Sequence, residues 1–128
     1  MEGLTRYLAL IAEASRPGGL EPASLTRCKV RSMRPKVFCV GFHKTGTKTL
    51  AAALRLLGYR VTGPNWTKEV DIATTASSRA MALVDQFDAF QDNPWPLLYR
   101  ELDTRCPESK FILTTRDADR WITSVSRY

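Results

Sequence analysis

Apolar positions along this chain follow two periods, and the two alternate. Residues 37–40, Val-Phe-Cys-Val, form an unbroken apolar run stopped by Gly41, the pattern of a strand kept dry on both faces inside a parallel sheet. Leu50, Ala51, Ala53, Leu54 and Leu57 then fall on one stripe at helical spacing, closed by Gly58, a residue suited to ending a helix. Residues 59–62 predict a short second strand, turned by Gly63-Pro64-Asn65. Residues 67–86 predict a mostly helical segment with Ala80, Met81, Val84 and Phe87 facing inward and a break at Thr74-Thr75. Residues 88–91 predict a brief third strand, after which Pro94 opens a helix through residue 104, because proline is tolerated in a first turn. Residues 111–115, Phe-Ile-Leu-Thr-Thr, predict a further strand, and Asp117 or Asp119 is placed to cap a last helix. Strands alternating with helices predict an α/β domain, a parallel sheet with flanking helices that binds its ligand at the carboxyl ends of the strands.

Residues 1–35 stand apart from that pattern. Leu4, Tyr7, Leu8 and Ile11 predict a short amphipathic helix over residues 3–15, and residues 16–35 read as a linker with three prolines and two glycines. The domain proper is therefore residues 36–128. Five basic residues and no acid fall between Arg27 and Lys36. No aromatic residue interleaves for base stacking, so this is read as a solvated linker and no nucleic-acid partner is expected. The charge of +6 favours an anionic ligand. The longest N-terminal apolar stretch, residues 7–12, is far short of a membrane span and is flanked by Glu2 and Glu13, which a leader peptide usually lacks. Three scattered cysteines fit a reducing compartment, and the expected location is cytoplasmic. With one histidine in the chain, no His/Cys cluster for a metal can be assembled.

The chemistry concentrates in Gly41-Phe42-His43-Lys44-Thr45-Gly46-Thr47-Lys48-Thr49-Leu50, between the first strand and the first helix. Gly41 and Gly46 let the backbone curl so that successive N–H groups converge on an anion. The helix N-terminus adds about half a positive charge behind them. Thr45, Thr47 and Thr49 supply hydroxyls. A regular nucleotide-triphosphate loop needs lysine directly after its second glycine. Here Thr47 stands there and the lysine comes earlier, at Lys44.

That departure resembles the P-loop sulfotransferase family, whose 5′-phosphosulfate loop reads Lys-(Ser/Thr)-Gly-Thr after the first strand. Lys44-Thr45-Gly46-Thr47 matches it. A second motif matches as well: Arg116 follows the strand over residues 111–115, and Ser124 comes eight positions later, as in the family's 3′-phosphate motif. An arginine fork takes a phosphate through two charge-assisted hydrogen bonds, and a serine in the next helix adds a hydroxyl. The resemblance covers about residues 36–128 and is nearest to a divergent branch carrying Lys-Thr-Gly-Thr-Lys and an Asp-Asn-Pro-Trp-Pro-like stretch. It implies a P-loop NTPase-like fold, incomplete at its C-terminus, that transfers a sulfuryl group from 3′-phosphoadenosine 5′-phosphosulfate to an acceptor hydroxyl or amine. No metal is required.

By the same comparison Lys44 contacts the 5′-phosphate and the bridging oxygen. Thr45, Gly46, Thr47, Lys48 and Thr49 hold the 5′-phosphate, and Arg116 and Ser124 the 3′-phosphate. No tryptophan stands near Thr49, where cytosolic members have one to stack on adenine. Asp92-Asn93-Pro94 resembles the His-Leu-Pro base motif of cytosolic relatives with an acid in place of histidine. Asp92 is accordingly the candidate general base, and capping of the Pro94 helix is its everyday alternative. Asp88 and His43 are held behind it. The tryptophans are expected to pack, with Trp121 bracing the helix of Ser124. Two alternatives stay open: a P-loop nucleotide kinase or hydrolase, for which Asp88 or Asp92 would bind Mg²⁺, and a truncated domain that binds nucleotide or polyanion without catalysis.

Overall fold

The computed structural model describes residues 34–127. The expected helix at residues 3–15 and all but the last two residues of the linker lie outside them. The described chain runs β1 (Val37–Cys39), α1 (Thr47–Leu56), β2 (Val61–Thr62), α2 (Ile72–Val84), β3 (Ala89–Phe90), a 3-10 turn (Trp95–Leu98), α3 (Tyr99–Arg105), β4 (Lys110–Ile112) and α4 (Ala118–Ser126).

The sheet order is β2-β3-β1-β4, and every described pairing is parallel. Val37 pairs with both Ala89 and Lys110, and Phe38 with both Phe90 and Phe111, so β1 is bonded along both edges. The carboxyl ends of all four strands thus share one edge of the sheet. Alternation on β1 feeds two cores. Phe38 points into a cluster with Ala80, Val84, Phe90, Trp95 and Leu102, beneath α2 and α3. Val37 and Cys39 point the other way, into a smaller cluster with Leu54 and Ala89 beneath α1. Helices on both faces explain why the apolar run of β1 shows no polar alternation.

Phe38 stacks on Phe90 at 4.8 Å and on Phe111 at 5.6 Å, and Trp95 lies 4.5 Å from Phe90, all between ring centroids. Trp95 is fully buried, and its indole N–H donates to Asn65 Oδ1 (2.9 Å), so the polar end is satisfied. Cys39 is a free buried thiol that burial pushes up to about 11. Cys106 is disulfide-bonded, so the expectation of reduced cysteines holds at Cys39 and not at Cys106. Separation along the chain does not bound separation in space. Among the described residues no helix is long and apolar enough to cross a membrane.

Several boundaries differ from expectation. The helix over residues 67–86 begins only at Ile72, and Thr74-Thr75 do not break it. Both hydroxyls donate back to the Asp71 carbonyl, at 2.9 and 3.1 Å, and so close its first turn. Pro94 does not open a regular helix: a single 3-10 turn precedes α3. β4 ends at Ile112 rather than Thr115, because its partner β1 ends at Cys39 and leaves nothing to pair with. The closing helix keeps its expected cap, the Asp117 carboxylate accepting from Arg120 N at 3.1 Å.

At the opposite, amino edge of the sheet, Asp88 accepts from Arg60 Nε and Nη2, both at 2.9 Å, and from Arg60 N at 3.1 Å. These hydrogen bonds from Arg60 hold the Asp88 carboxyl below the usual carboxylate range. A depressed folded value stabilises the protein above the ordinary carboxylate range, and that contribution is lost as pH falls through the folded value. Acidification below about pH 4 is therefore expected to destabilise the parent more than Asp88→Asn, read as the difference between their denaturant midpoints across pH. Phe38→Ala empties the centre of the larger core and is expected to cost about 3–5 kcal/mol, read by chemical denaturation.

Candidate phosphate cradle and the residues around it

Because β1 is dry on both faces and only three residues long, the chain must leave the sheet at once, and it does so through the turn at residues 41–46. Gly41 is buried in this turn. A Cβ there would overlap both the side chain and the carbonyl of Thr114, on the segment leaving β4. The absent side chain lets the exits of β1 and β4 lie against each other. Gly46 has a different reason: its φ of +101° suits glycine, with open space where a Cβ would stand. Lys44 also adopts a left-handed backbone, at φ 64°, a sparsely populated conformation for a side chain of its size.

Gly46 caps α1 without a side-chain hydrogen bond, and the first bond into the helix runs from Leu50 N to Gly46 O at 3.1 Å. The first-turn N–H groups of Thr47, Lys48 and Thr49 have no intrahelical acceptor, as at any helix start. With no acid in that turn, nothing of the helix's own neutralises its positive end. Lys48 and Thr49 are exposed there, whereas Thr47 is buried.

Two of the three threonine hydroxyls expected as anion donors, those of Thr45 and Thr47, are engaged within the protein. Thr47 Oγ1 donates to Asp92 Oδ2 at 2.9 Å. Thr45 Oγ1 donates to the Phe42 carbonyl and lies 2.7 Å from Thr114 Oγ1. A hydroxyl has one proton, so both are committed, whereas Lys48 and Thr49 stand exposed beside the backbone N–H groups that open α1.

Asp92 stands just past the carboxyl end of β3, 8 % exposed, with a left-handed φ of 63°. Beside the Thr47 bond, its Oδ1 accepts from Asn93 N at 2.8 Å and its carbonyl from Trp95 N at 3.1 Å. The side chain therefore does not cap the 3-10 turn. It reaches back across the edge of the sheet to the first residue of α1. Asn65 fastens the same segment from the β2 side, its N–H donating to Asn93 O at 2.8 Å and its side chain accepting from Trp95. Asp88, the other carboxylate held as a base or Mg²⁺ ligand, lies at the amino edge and is paired with Arg60, away from the cradle.

On the other flank, Arg116 is exposed and pairs with neither Asp117 nor Asp119. Its Nη1 donates to the Lys44 carbonyl at 3.0 Å. Trp121 makes a second tie from the same side, its indole N–H donating to the His43 carbonyl at 2.9 Å with the two rings 5.9 Å apart. Trp121 thus braces α4 against the cradle, as expected, and Ser124 lies half-buried on that helix one turn further on. The His43 imidazole is held below its ordinary value, first by burial and then by Lys44, with Asp92 acting in the opposite sense.

Hydrogen bonds thus gather Lys44, Thr47, Asp92 and Arg116 around one turn, and Lys48, Thr49 and Ser124 are carried by the helices at its sides. Thr114, Asn65 and the role of the Trp121 N–H were not foreseen. The Thr-Thr pair closing the strand at residues 114–115 was the one available signal for the first. Among the described residues no group of three or more His, Cys, Asp or Glu is arranged to hold a metal.

No curated protein and no solved structure matches this chain. The sulfotransferase-domain family matches residues 36–128, a span that takes in the whole sheet, the turn at residues 41–46, Asp92, Arg116 and Ser124, so the chain belongs to the sulfotransferase-domain family.

Proposed function

We propose that the protein transfers a sulfuryl group from 3′-phosphoadenosine 5′-phosphosulfate to an acceptor hydroxyl or amine, with the donor's 5′-phosphate in the turn at residues 44–49. The observation that carries this reading is the bond from Arg116 to the Lys44 carbonyl. It joins the arginine expected at the 3′-phosphate to the lysine expected at the 5′-phosphate, two groups that a single nucleotide must bridge. One of the five guanidinium N–H donors is used on that carbonyl. The rest of the fork is available in number for a phosphate, with Ser124 on the adjoining helix as its partner.

The reaction is an in-line displacement at sulfur. The bond from sulfur to the bridging oxygen breaks, a bond to the acceptor oxygen or nitrogen forms, and 3′-phosphoadenosine 5′-phosphate leaves. Positioning and charge stabilisation supply most of the acceleration in such transfers. Lys44 neutralises charge growing on the leaving phosphate. The N–H groups opening α1 hold the 5′-phosphate through backbone donors, which need no reorientation during the reaction.

One observation favours a second reading. A threonine hydroxyl donating to a buried carboxylate, as Thr47 does to Asp92, is also how a P-loop kinase or hydrolase prepares a Mg²⁺ site. The two readings differ in ligand. Titration by calorimetry is expected to give binding of 3′-phosphoadenosine 5′-phosphate without Mg²⁺ and weaker binding of ATP with Mg²⁺. The reverse order supports the second reading. Lys44→Ala and Arg116→Ala are each expected to weaken the 3′-phosphoadenosine 5′-phosphate complex by about 2 kcal/mol. Lys44→Ala is further expected to lower turnover more than donor affinity, since its charge matters most as the bridging bond breaks. Parent-like binding by both variants overturns the assignment.

A further inference from the structure

Among the described residues Asp92 is the one carboxylate at the carboxyl edge of the sheet shown bonded to the start of α1, and both of its oxygens are in use. Oδ2 takes the Thr47 proton and Oδ1 the Asn93 N–H. The residue is nearly closed to solvent, and its backbone is fixed from three sides. Its own carbonyl holds Trp95 N, Asn93 O holds Asn65 N, and the Trp95 indole holds the Asn65 side chain. A group held this way is poorly placed to swing toward an acceptor hydroxyl and well placed to orient what it touches.

What it touches is the first residue of α1. A threonine hydroxyl has one proton and two lone pairs. With the proton on Asp92, Thr47 can turn only lone pairs toward the cradle. Those lone pairs do not favour an anion, and neither does the carboxylate behind them. The pair therefore contributes to the site by fixing the start of α1 against β3, so that the backbone N–H groups converge before any ligand arrives. It does not supply donors or remove protons.

Resting on the sulfotransferase reading, we infer that Asp92 is a positioning residue acting through Thr47: it takes up the Thr47 proton, pins the N-terminus of α1 to the end of β3, and leaves recognition of the 5′-phosphate to backbone N–H groups and Lys44. It is not the proton acceptor of the reaction. Asparagine at this position keeps a hydrogen bond from Asn93 N and can donate to Thr47 Oγ1. That arrangement preserves the link, removes the negative charge and frees the Thr47 proton for an anion.

The test is a cycle of Asp92→Asn, Asp92→Ala, Thr47→Val and the double variant Asp92→Ala/Thr47→Val, read in three ways. By calorimetry with 3′-phosphoadenosine 5′-phosphate, Asp92→Asn is expected to bind more tightly than the parent, and Asp92→Ala to bind about tenfold more weakly. Adding Asp92→Ala to Thr47→Val is expected to cost little more than Thr47→Val alone, since the partner through which Asp92 acts is already gone. In sulfuryl transfer, Asp92→Asn is expected to leave the acid limb of the kcat/KM pH profile where the parent has it, with its effect on KM for the donor larger than on kcat. A proton acceptor gives the opposite result: the acid limb is lost and kcat falls by about a hundredfold or more with donor affinity unmoved. Either that result, or full additivity of Asp92→Ala and Thr47→Val, overturns the inference. The third reading is thermal unfolding of the same variants without ligand, where coupling between the two positions is expected. If the parent does not bind 3′-phosphoadenosine 5′-phosphate at all, the proposed function fails, and the unfolding cycle still decides whether Asp92 and Thr47 are coupled.

Discussion

A strand of three residues with parallel partners on both edges is the constraint from which the rest of this structure follows. Val37, Phe38 and Cys39 are buried, and Val37 and Phe38 pair on both sides, so β1 can shift neither sideways nor in register without emptying one of two cores. The turn that leaves it inherits that fixity. Gly41 accommodates the neighbouring exit from β4, Gly46 reverses the chain, and α1 starts with its N–H groups aimed back over the strand end. Central position in a parallel sheet also brings the ends of β3 and β4 to either side of the turn. The carboxylate of one and the guanidinium of the other therefore meet the same loop from opposite flanks.

Much of this was legible in the residues. The apolar run at residues 37–40, the stripe from Leu50 to Leu57 and the closing strand near Phe111 identify the sheet and its crossovers, because burial on two faces and burial on one stripe leave different periods. The turn at residues 41–46 was legible by its place between strand and helix. What could not be read was the fate of individual protons. Thr45 and Thr47 look alike in sequence as hydroxyl donors, yet Thr45 donates to the Phe42 carbonyl three residues back and Thr47 to a carboxylate 45 residues away. Pro94 misled for a similar reason. The run Pro94-Trp95-Pro96-Leu97-Leu98 suits the first turn of a helix, but the Trp95 side chain is drawn into the core beside Phe90, and the chain makes a 3-10 turn before α3 begins.

Asp92 shows how a single position can tie several elements together. The same carboxylate ties β3 to α1, and the same backbone segment ties β2 to β3 through Asn65. The edge of the sheet that faces the cradle is thus cross-linked by hydrogen bonds from three consecutive strand exits. Asp88, four residues earlier and also a carboxylate, is bonded to Arg60 at the far edge. Strand direction, not residue type, places the two carboxylates at opposite edges of the sheet.

The two flanks of the cradle are unequal in a way that bears on how any bridging ligand is received. The α1 and β3 side is anchored in the cores, whereas α4 has no buried residue, Ile122 and Leu113 are largely exposed, and β4 is an edge strand. That flank is held to the turn by the Arg116 and Trp121 bonds and the Thr45–Thr114 contact. Segments with few buried contacts open at low free-energy cost while the rest of the fold stays shut. A molecule that grips α1 with one end and Arg116 with the other therefore does more than fill a cleft. It acts as a rivet between a rigid half and a compliant one, and part of its affinity is spent on stilling the compliant half.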